Sequence, residues 1–210
     1  VQIVRQQTPV SGDICSVDPS NLALLKSLSI KSDIEGADHP DQLWVSDFTY
    51  IQTHSGWVYT AFIIDVFSRA IVGWKVSTRM NTDMVLDALE QALHDRGMPK
   101  NVIHHSDRGV QYLSIRYTNR LEAANLRASV GTTGDSYDNA LAETVNGLYK
   151  TEVIEYLKAD WQGLADVQLA TLNWVDWFNK KRVHSALGYV SPFEFEAMYY
   201  DKINPLGQVA

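Results

Sequence analysis

The sequence has almost no cysteine and no long hydrophobic run. Cys15 is the only cysteine among 210 residues. A single thiol excludes an internal disulfide framework and a cysteine-rich zinc site, and it fits a reducing compartment. No stretch reaches the roughly 18 consecutive apolar residues of a transmembrane helix, and the first residues show no signal-peptide pattern. We therefore expect a cytoplasmic protein without a membrane partner.

Excess positive charge is also absent, because the formal net charge is −7. Proteins that bind nucleic acid usually carry a basic surface, since their affinity for phosphate depends on Lys and Arg. Taken alone, the charge therefore argues against a nucleic-acid-binding protein. The apolar content of 45% and the charged content of 20% are those of an ordinary globular protein. The length suits one large domain, or one domain with an extension.

Three runs rich in β-branched and aromatic residues stand in the first half of the chain. They cover Leu43 to Gln52, Trp57 to Val66 and Ala70 to Val76. The short breaks between them, at 53–56 and 67–69, have the length and composition of hairpin turns. These runs predict an antiparallel meander of three strands.

Helices and short strands alternate after the meander. The predicted elements are a helix from Asn81 to Arg96 capped by Thr82, a strand at 102–105, a helix at 114–124, a strand at 127–130 and a helix at 163–180. An antiparallel meander followed by alternating helices and strands is typical of an α/β protein. We predict a mixed five-stranded sheet with helices on both faces.

The chain divides into three parts by composition. Residues 1–40 contain a predicted helix and a linker, and their function is unknown from the sequence. Residues 41–160 contain the predicted sheet and form the core domain. Residues 161–210 are predicted to be a C-terminal helical extension that packs on this core.

The segment 131–150 combines a glycine-rich loop with a helix that carries polar residues on one side. Residues 131–138 include two glycines and two aspartates, so we expect a mobile loop. On the helix that follows, Glu143, Asn146 and Lys150 stand at positions i, i+3 and i+7. At about 100° per residue they fall within roughly one third of the circumference. One helix side therefore presents an acid, an amide and a cation.

Three carboxylates occupy three different backbone settings. Asp47 lies in the first predicted strand, Asp107 directly follows another strand, and Glu143 lies on the helix. If they converge, their charges repel one another and are costly to desolvate. Divalent cations remove this cost, since Mg²⁺ prefers hard oxygen ligands. A pair of such ions about 3.5–4 Å apart supports in-line phosphoryl transfer.

Two histidines, His104 and His105, stand just before Asp107. In a strand, one of them must point into the sheet because side chains alternate. We interpret this residue as a buried core histidine rather than a metal ligand, because Mg²⁺ favours oxygen.

The spacing of the acids resembles that of a known superfamily. An Asp, Asp, Glu triad with 35 residues between the second and third members is the signature of the retroviral integrases, and Asp107 and Glu143 have this separation. Five segments resemble the catalytic half of bacterial insertion-sequence transposases, of the OrfB type in the insertion-sequence-3 family. They are LWVSDFTYI at 43–51, IDVFSRAIVGW at 64–74, HSDRGVQY at 105–112, GDSYDNALAE at 134–143 and HSALGYVSP at 184–192.

The resemblance implies a ribonuclease-H-like fold and a catalytic triad of Asp47, Asp107 and Glu143 that binds two Mg²⁺ or Mn²⁺ ions. It also matches Asn146 and Lys150 to the amide and the lysine that follow the glutamate in integrases. In that family the lysine contacts the DNA of the element end, and Asn146 and Lys150 are both predicted to bind DNA.

A basic cluster, Lys180, Lys181 and Arg182, follows the last predicted helix of this region. We predict that it contacts DNA phosphates. Cations that stabilise a helix C-terminus explain the cluster equally well.

The expected function is that of a transposase catalytic domain, a polynucleotidyl transferase that acts in a homo-oligomer on DNA in the bacterial cytoplasm and nucleoid. Full-length members of the resembled family carry an N-terminal helix-turn-helix region, and residues 1–40 do not match one. We therefore expect a catalytic-domain fragment or a truncated copy, which also accounts for the lack of positive charge. The alternatives are a nuclease that only hydrolyses and an inactive fragment that serves as a binding or dimerisation module.

Overall fold

The computed structural model describes residues 37–107, 109–130, 140–157 and 160–204. The predicted mobile loop at 131–138 and nearly all of the predicted N-terminal part lie outside these residues. The strands are β1 (Leu43–Thr53), β2 (Gly56–Asp65), β3 (Ile71–Ser77), β4 (Ile103–Ser106) and β5 (Arg127–Val130). They form one sheet in the order β3-β2-β1-β4-β5.

The sheet is mixed, as predicted from the sequence. Strands β1, β2 and β3 pair antiparallel, whereas β4 pairs parallel to both β1 and β5. The pairing of β1 changes along its length. Leu43 pairs with β4, and Trp44 to Ser46 pair with β2 on one side and with β4 on the other. Asp47 to Thr53 pair with β2 alone within the described residues. The second half of this central strand therefore has an open edge.

The helices alternate with the later strands. They are α1 (Thr82–Asp95), α2 (Ile115–Ala123), α3 (Ala140–Tyr149), a π-helix (Lys150–Glu155), α4 (Leu164–Lys180), a 3₁₀ turn (Ser185–Leu187) and α5 (Pro192–Ile203). The predicted cap of α1 was wrong by one residue. The side chain of Asn81, not that of Thr82, accepts the Met84 N–H at 3.2 Å.

The face of the sheet that packs against α1 and α2 is named the first face. Side chains alternate between the two faces along each strand, and Trp44, Ala61 and Ile63 are buried against these helices. Gly73 on β3 permits the close approach of α1. A Cβ at this position would overlap the Ala88 carbonyl oxygen and lie 2.9 Å from the Ala92 Cβ.

The opposite face, named the second face, packs against α3, the π-helix and α4. Its core contains a chain of aromatic rings formed by Phe62, Tyr149, Trp174 and Phe178, with neighbouring centroids 4.9–5.2 Å apart. The Tyr149 and Thr171 hydroxyls are hydrogen-bonded at 2.7 Å. Helices therefore cover both faces, as predicted.

The predicted boundary at residue 160 stays a prediction. Val167 and Trp174 of α4 belong to the same buried cluster as Phe62 of β2, so this helix completes the core of the sheet. In the part of the chain that the structure describes, no helix is both long and apolar enough to span a bilayer.

Candidate active site

The two aspartates extend from neighbouring strands at the same level. The last residue pair of the parallel strands β1 and β4 is Ser46 with Ser106. Asp47 and Asp107 each come one residue later, and paired strands are about 4.8 Å apart. Because β1 and β4 are adjacent, the carboxylates of Asp47 and Asp107 start from neighbouring backbone positions.

Asp47 is a strongly perturbed acid. Burial is the main reason that its pKa is raised to about 6 from an ordinary value of 3.8. The negative charges of Asp107 and Glu143 raise this pKa further. Its Oδ1 accepts the Phe48 N–H at 2.8 Å and its Oδ2 accepts the Asn146 amide at 2.9 Å, and both bonds lower the pKa. Asp107 and Glu143 are therefore both close enough to Asp47 for their charges to act on it.

The turn after β4 fixes the Asp107 carboxylate. The Gly109 N–H donates to Asp107 Oδ1 at 2.8 Å. A Cβ on Gly109 would lie 2.9 Å from that oxygen and 3.1 Å from Gln111 Oε1, so a side chain here would crowd the acid. Tyr112 is buried beside the aspartates. Its pKa is raised by burial, and the charges of Asp47 and Asp107 raise it further.

Gly109 and Tyr112 belong to the segment at 105–112 that resembles the transposases, but no role in the site was predicted for them. A glycine two residues after an acid at a strand end was the available signal, because it permits the backbone to approach the carboxylate.

Helix α3 presents Glu143 and Asn146 toward Asp47. Glu143 is exposed, whereas Asn146, one turn later, is only 8% exposed. Its amide nitrogen is bound to Asp47, and its Oδ1 has no hydrogen-bond partner among the described residues. Asn146 therefore orients Asp47 by direct contact, and the DNA contact predicted for it stays a prediction.

No group of three His, Cys, Asp or Glu side chains in the described part of the chain is close enough to hold a metal ion. Glu143 thus influences Asp47 through its charge without sharing a coordination sphere with both aspartates. The chemistry of the donor set still fits a divalent cation. It consists of carboxylate oxygens, which Mg²⁺ prefers, and Asp47 has a raised pKa that a nearby cation would lower.

Helix α3 also contains a glycine against which no described residue packs. A Cβ on Gly147 would meet no atom of the described residues within 4 Å. Glycine inside a helix costs about 1 kcal/mol relative to alanine, so packing does not explain this residue. Gly147 follows Glu143 by four residues and precedes Lys150 by three, and so it lies on the helix side that carries both charges.

Lys150 lies over an aromatic ring of β1. Its Nζ is 5.0 Å from the ring centroid of Tyr50, a distance typical of a cation–π contact. Tyr50 was not among the predicted site residues. The contact depends on the packing of α3 against β1, which no local sequence signal reveals.

The basic cluster is engaged elsewhere. Lys180 forms an ion pair with Asp176, and Arg182 donates to Glu152 Oε1 from both Nη2 and Nε, at 2.7 and 2.9 Å. Lys180 also lines a cavity beside Ile71 of β3, and β3 is separated from β4 by two strands. The structure therefore does not bring this cluster together with the three acids.

Two family models match the chain, and both describe an integrase core domain. The first matches residues 37–136 and the second matches residues 124–192. Residues 37–192 are an integrase core domain. The three acids, the sheet and helix α4 all lie within this integrase core.

Curated relatives of the integrase core include two transposases. The chain is 58% identical over 167 residues to the transposase for insertion sequence element IS629 of Shigella sonnei, covering 80% of this chain and 55% of that protein. It is 40% identical over 162 residues to transposase InsF for insertion sequence IS3A of Escherichia coli K12, covering 76% of this chain and 55% of that protein. The predicted relationship to insertion-sequence transposases is confirmed. The chain spans about half the length of these relatives.

Solved structures similar to the integrase core come from retroviruses. The simian T-cell lymphotropic virus intasome, in complex with PP2A regulatory subunit B56 gamma, matches with a TM-score of 0.66 at 16% identity, over 77% of this chain and 56% of that one. The trimeric form of the HTLV-2 integrase catalytic core domain, in complex with magnesium, matches with a TM-score of 0.60 at 18% identity, over 76% of this chain and 99% of that one. The predicted ribonuclease-H-like fold is confirmed.

Proposed function

We propose that this integrase core is the catalytic domain of a transposase that cleaves DNA at the ends of an insertion element and joins the freed 3′ ends to a second strand. One observation carries the proposal. Asp47 and Asp107 extend side by side from β1 and β4, and the charge of Glu143 raises the pKa of Asp47. Three acids that interact across a parallel strand pair and a helix suit metal-dependent phosphoryl transfer.

Asp47, Asp107 and Glu143 are proposed to hold two divalent cations, Mg²⁺ or Mn²⁺. Such ions, when bound, polarise a phosphodiester and activate the attacking oxygen. The remaining groups keep the acids in place. The Asn146 amide orients the Asp47 carboxylate, and the Gly109 N–H orients that of Asp107.

DNA contacts are proposed mainly for Lys150. It is the first residue of the π-helix that continues α3, and its ammonium group lies over the Tyr50 ring of β1. Lys180, Lys181 and Arg182 are proposed as a second and weaker contact, because Lys180 and Arg182 already pair with acids of this chain. We also propose that the active complex is a homo-oligomer acting in the bacterial cytoplasm. The dimeric and trimeric forms of the HTLV-2 core support this assembly only by analogy.

The direct test is a cleavage and strand-transfer assay with Mg²⁺ or Mn²⁺. Its substrate is a duplex with the terminal sequence of the element that encodes the chain. Asp47→Asn, Asp107→Asn and Glu143→Gln should each lower the rate by at least about a thousandfold, and double variants should lose little more, because residues that act as one unit are not additive. Each variant should also weaken Mn²⁺ binding in calorimetry.

Matched controls separate the site from general effects. Asp87→Asn removes an exposed acid that pairs with Lys75 and should leave the rate unchanged. Asp47→Asn should unfold at a higher temperature than the wild type without metal, because it removes a buried charge that neighbouring acids repel. Lys150→Ala should keep Mn²⁺ binding but weaken DNA binding, with a salt dependence shallower by about one phosphate contact.

Three results would redirect the proposal. Wild-type cutting and joining by Glu143→Gln would contradict the three-carboxylate mechanism. Cutting without joining would indicate a nuclease. DNA binding with neither Mn²⁺ binding nor cutting would indicate the binding-module alternative.

A further inference from the structure

The outer end of the β1–β2 hairpin exposes two aromatic rings that touch each other. Tyr50 is 54% exposed and Trp57 is 49% exposed. Their ring centroids are 5.3 Å apart and their planes meet at 82°. Tyr50 pairs with Tyr59 across the hairpin, so Trp57 is its diagonal neighbour on the same face. We call Tyr50 and Trp57 the aromatic platform.

The two sides of this hairpin end differ within the described residues. On the second face Ile51 and Val58 are buried, and the hairpin turn bonds to the segment before α4 through His54 N–H and the Trp161 carbonyl at 2.9 Å. Phe48 and Tyr59 are partly buried and pack against the first-face core, whereas Tyr50 and Trp57 do not belong to it. The sheet thus extends beyond its helical cover and presents two rings to solvent.

Lys150 connects the platform to the carboxylates. It is the first residue of the π-helix that continues α3, and its Nζ lies 5.0 Å from the Tyr50 ring centroid. Asp47 precedes Tyr50 by three residues, or about 10 Å along the strand. The two side chains point to opposite faces, but β4 does not pair with β1 beyond Ser46. A DNA strand leaving the carboxylates can therefore pass Lys150 and reach the platform around this open edge.

We propose that the aromatic platform stacks an unpaired nucleobase of the DNA strand bound at the carboxylates, while Lys150 contacts an adjacent phosphate. This inference rests on the proposed function and adds a binding site for single-stranded DNA to it. Aromatic rings beside a cation suit such a ligand, because every base has a π-face and the backbone is anionic. The stacking is expected to be tolerant of sequence.

A second exposed aromatic surface, within the described residues, lacks this combination. Tyr156 and Trp177 line an apolar groove between the π-helix and α4. The charged residue of that groove is Glu152, which already pairs with Arg182. Tyr156 is 79% exposed, so it offers a matched control for the platform.

The test measures binding to three duplexes of equal length by fluorescence anisotropy. One is blunt, one has a three-thymidine single-stranded end, and one has the same end without bases. All proteins carry Glu143→Gln so that strands stay intact. The thymidine end should bind about tenfold more tightly than the abasic end, the gain expected from base stacking on aromatic side chains.

Variants of the platform should remove this preference alone. Tyr50→Leu and Trp57→Leu keep apolar bulk and remove the ring, so they should bring the thymidine end down to the affinity of the abasic end. Binding of the blunt duplex should stay within about twofold, because phosphate contacts supply it. Tyr50→Phe should retain the preference, and the control Tyr156→Ala should bind all three duplexes like the parent protein.

Four outcomes would overturn the inference. The first is equal binding of the thymidine and abasic ends by the parent protein, and the second is a preference for the thymidine end that survives when Tyr50→Leu and Trp57→Leu are combined. The third is an equal loss of affinity for all three duplexes in the leucine variants. The fourth is dissociation of a protein oligomer when the rings are removed. Since only binding is measured, the platform is tested separately from cleavage. A protein that stacks bases but never cuts DNA would fail the proposed function and keep the platform.

Discussion

On the first face, α1 and α2 pack closely against the sheet through small and aliphatic side chains, and Gly73 lets the α1 backbone come near β3. On the second face, α3 carries Glu143, places the Asn146 amide against Asp47 and contains an unpacked glycine. The π-helix follows directly. The two faces use the same alternation of residues along the strands.

The second face gathers groups that cost stability beside the three acids, although the buried, titratable His104 lies on the first face. A buried acid with a raised pKa, a buried amide oxygen without a partner and a glycine inside a helix each lower stability. All three lie around Asp47, Asn146 and Gly147 on the second face. Local costs of this kind gather where function requires them. The first face is expected to supply the stability that makes them tolerable.

Gly73→Ala should produce the largest change in stability. Its Cβ would overlap the Ala88 carbonyl oxygen, which belongs to the helix backbone and cannot rotate away. Overpacking of this kind costs about 3 kcal/mol of unfolding free energy. Urea denaturation followed by circular dichroism measures the loss. An unchanged midpoint would show that α1 is not closely packed on β3.

Acid should weaken the first face through His104. This histidine is fully buried and bound to the Tyr117 hydroxyl at 3.1 Å. Burial is the main reason that its pKa is lowered from 6.5 to about 3. Below pH 6.5 His104 binds a proton in the unfolded chain but stays neutral in the folded chain. Stability should therefore fall by about 1.4 kcal/mol per pH unit, or roughly 2 kcal/mol between pH 6.5 and 5.

Denaturation at several pH values, compared with His104→Gln, isolates this contribution. The variant should lose the slope that the histidine provides. His94→Gln replaces a histidine whose side chain is 88% exposed and should behave like the wild type. Equal slopes for His104→Gln and the wild type would show that His104 does not control the acid sensitivity.

Gly147→Ala should have the smallest effect on stability, and the opposite sign. A methyl group in open space on α3 removes the helix penalty of glycine and should raise the unfolding free energy by up to about 1 kcal/mol. If DNA approaches the side of α3 that carries Glu143, the same methyl group should slow cleavage severalfold. Chemical denaturation and the cleavage assay measure the two effects. A stabilised variant with full activity would show that DNA does not need this space.

Much of the fold followed from the sequence because its signals are local. The alternation that puts Trp44 on one face and Val45 on the other was legible in the strand itself. The position of Asp107 directly after a strand was legible in the same way. The wrong cap of α1 has a local cause too, since Asn81 and Thr82 are both good capping residues.

The unpredicted parts depend on tertiary contacts. Lys150 meets Tyr50 only because the helical segment of α3 and the π-helix packs against β1. Arg182 pairs with Glu152, 30 residues earlier, and this pair was not predicted either. Neither partner is identifiable from helical or strand periodicity, which reports the side that a residue faces and not the side chain that it meets.

The π-helix (Lys150–Glu155) continues α3 without a break. Before it, α3 directs Glu143 and Asn146 toward Asp47. Within it, Glu152 accepts the Trp174 indole N–H at 2.9 Å and pairs with Arg182. A π-turn holds one residue more than an α-turn, so the loss of one residue there can be absorbed by closing the turn, whereas the loss of one residue inside α3 would rotate the helix after it by about 100°. Single-residue deletions should therefore be tolerated better along 150–155 than between Glu143 and Asn146.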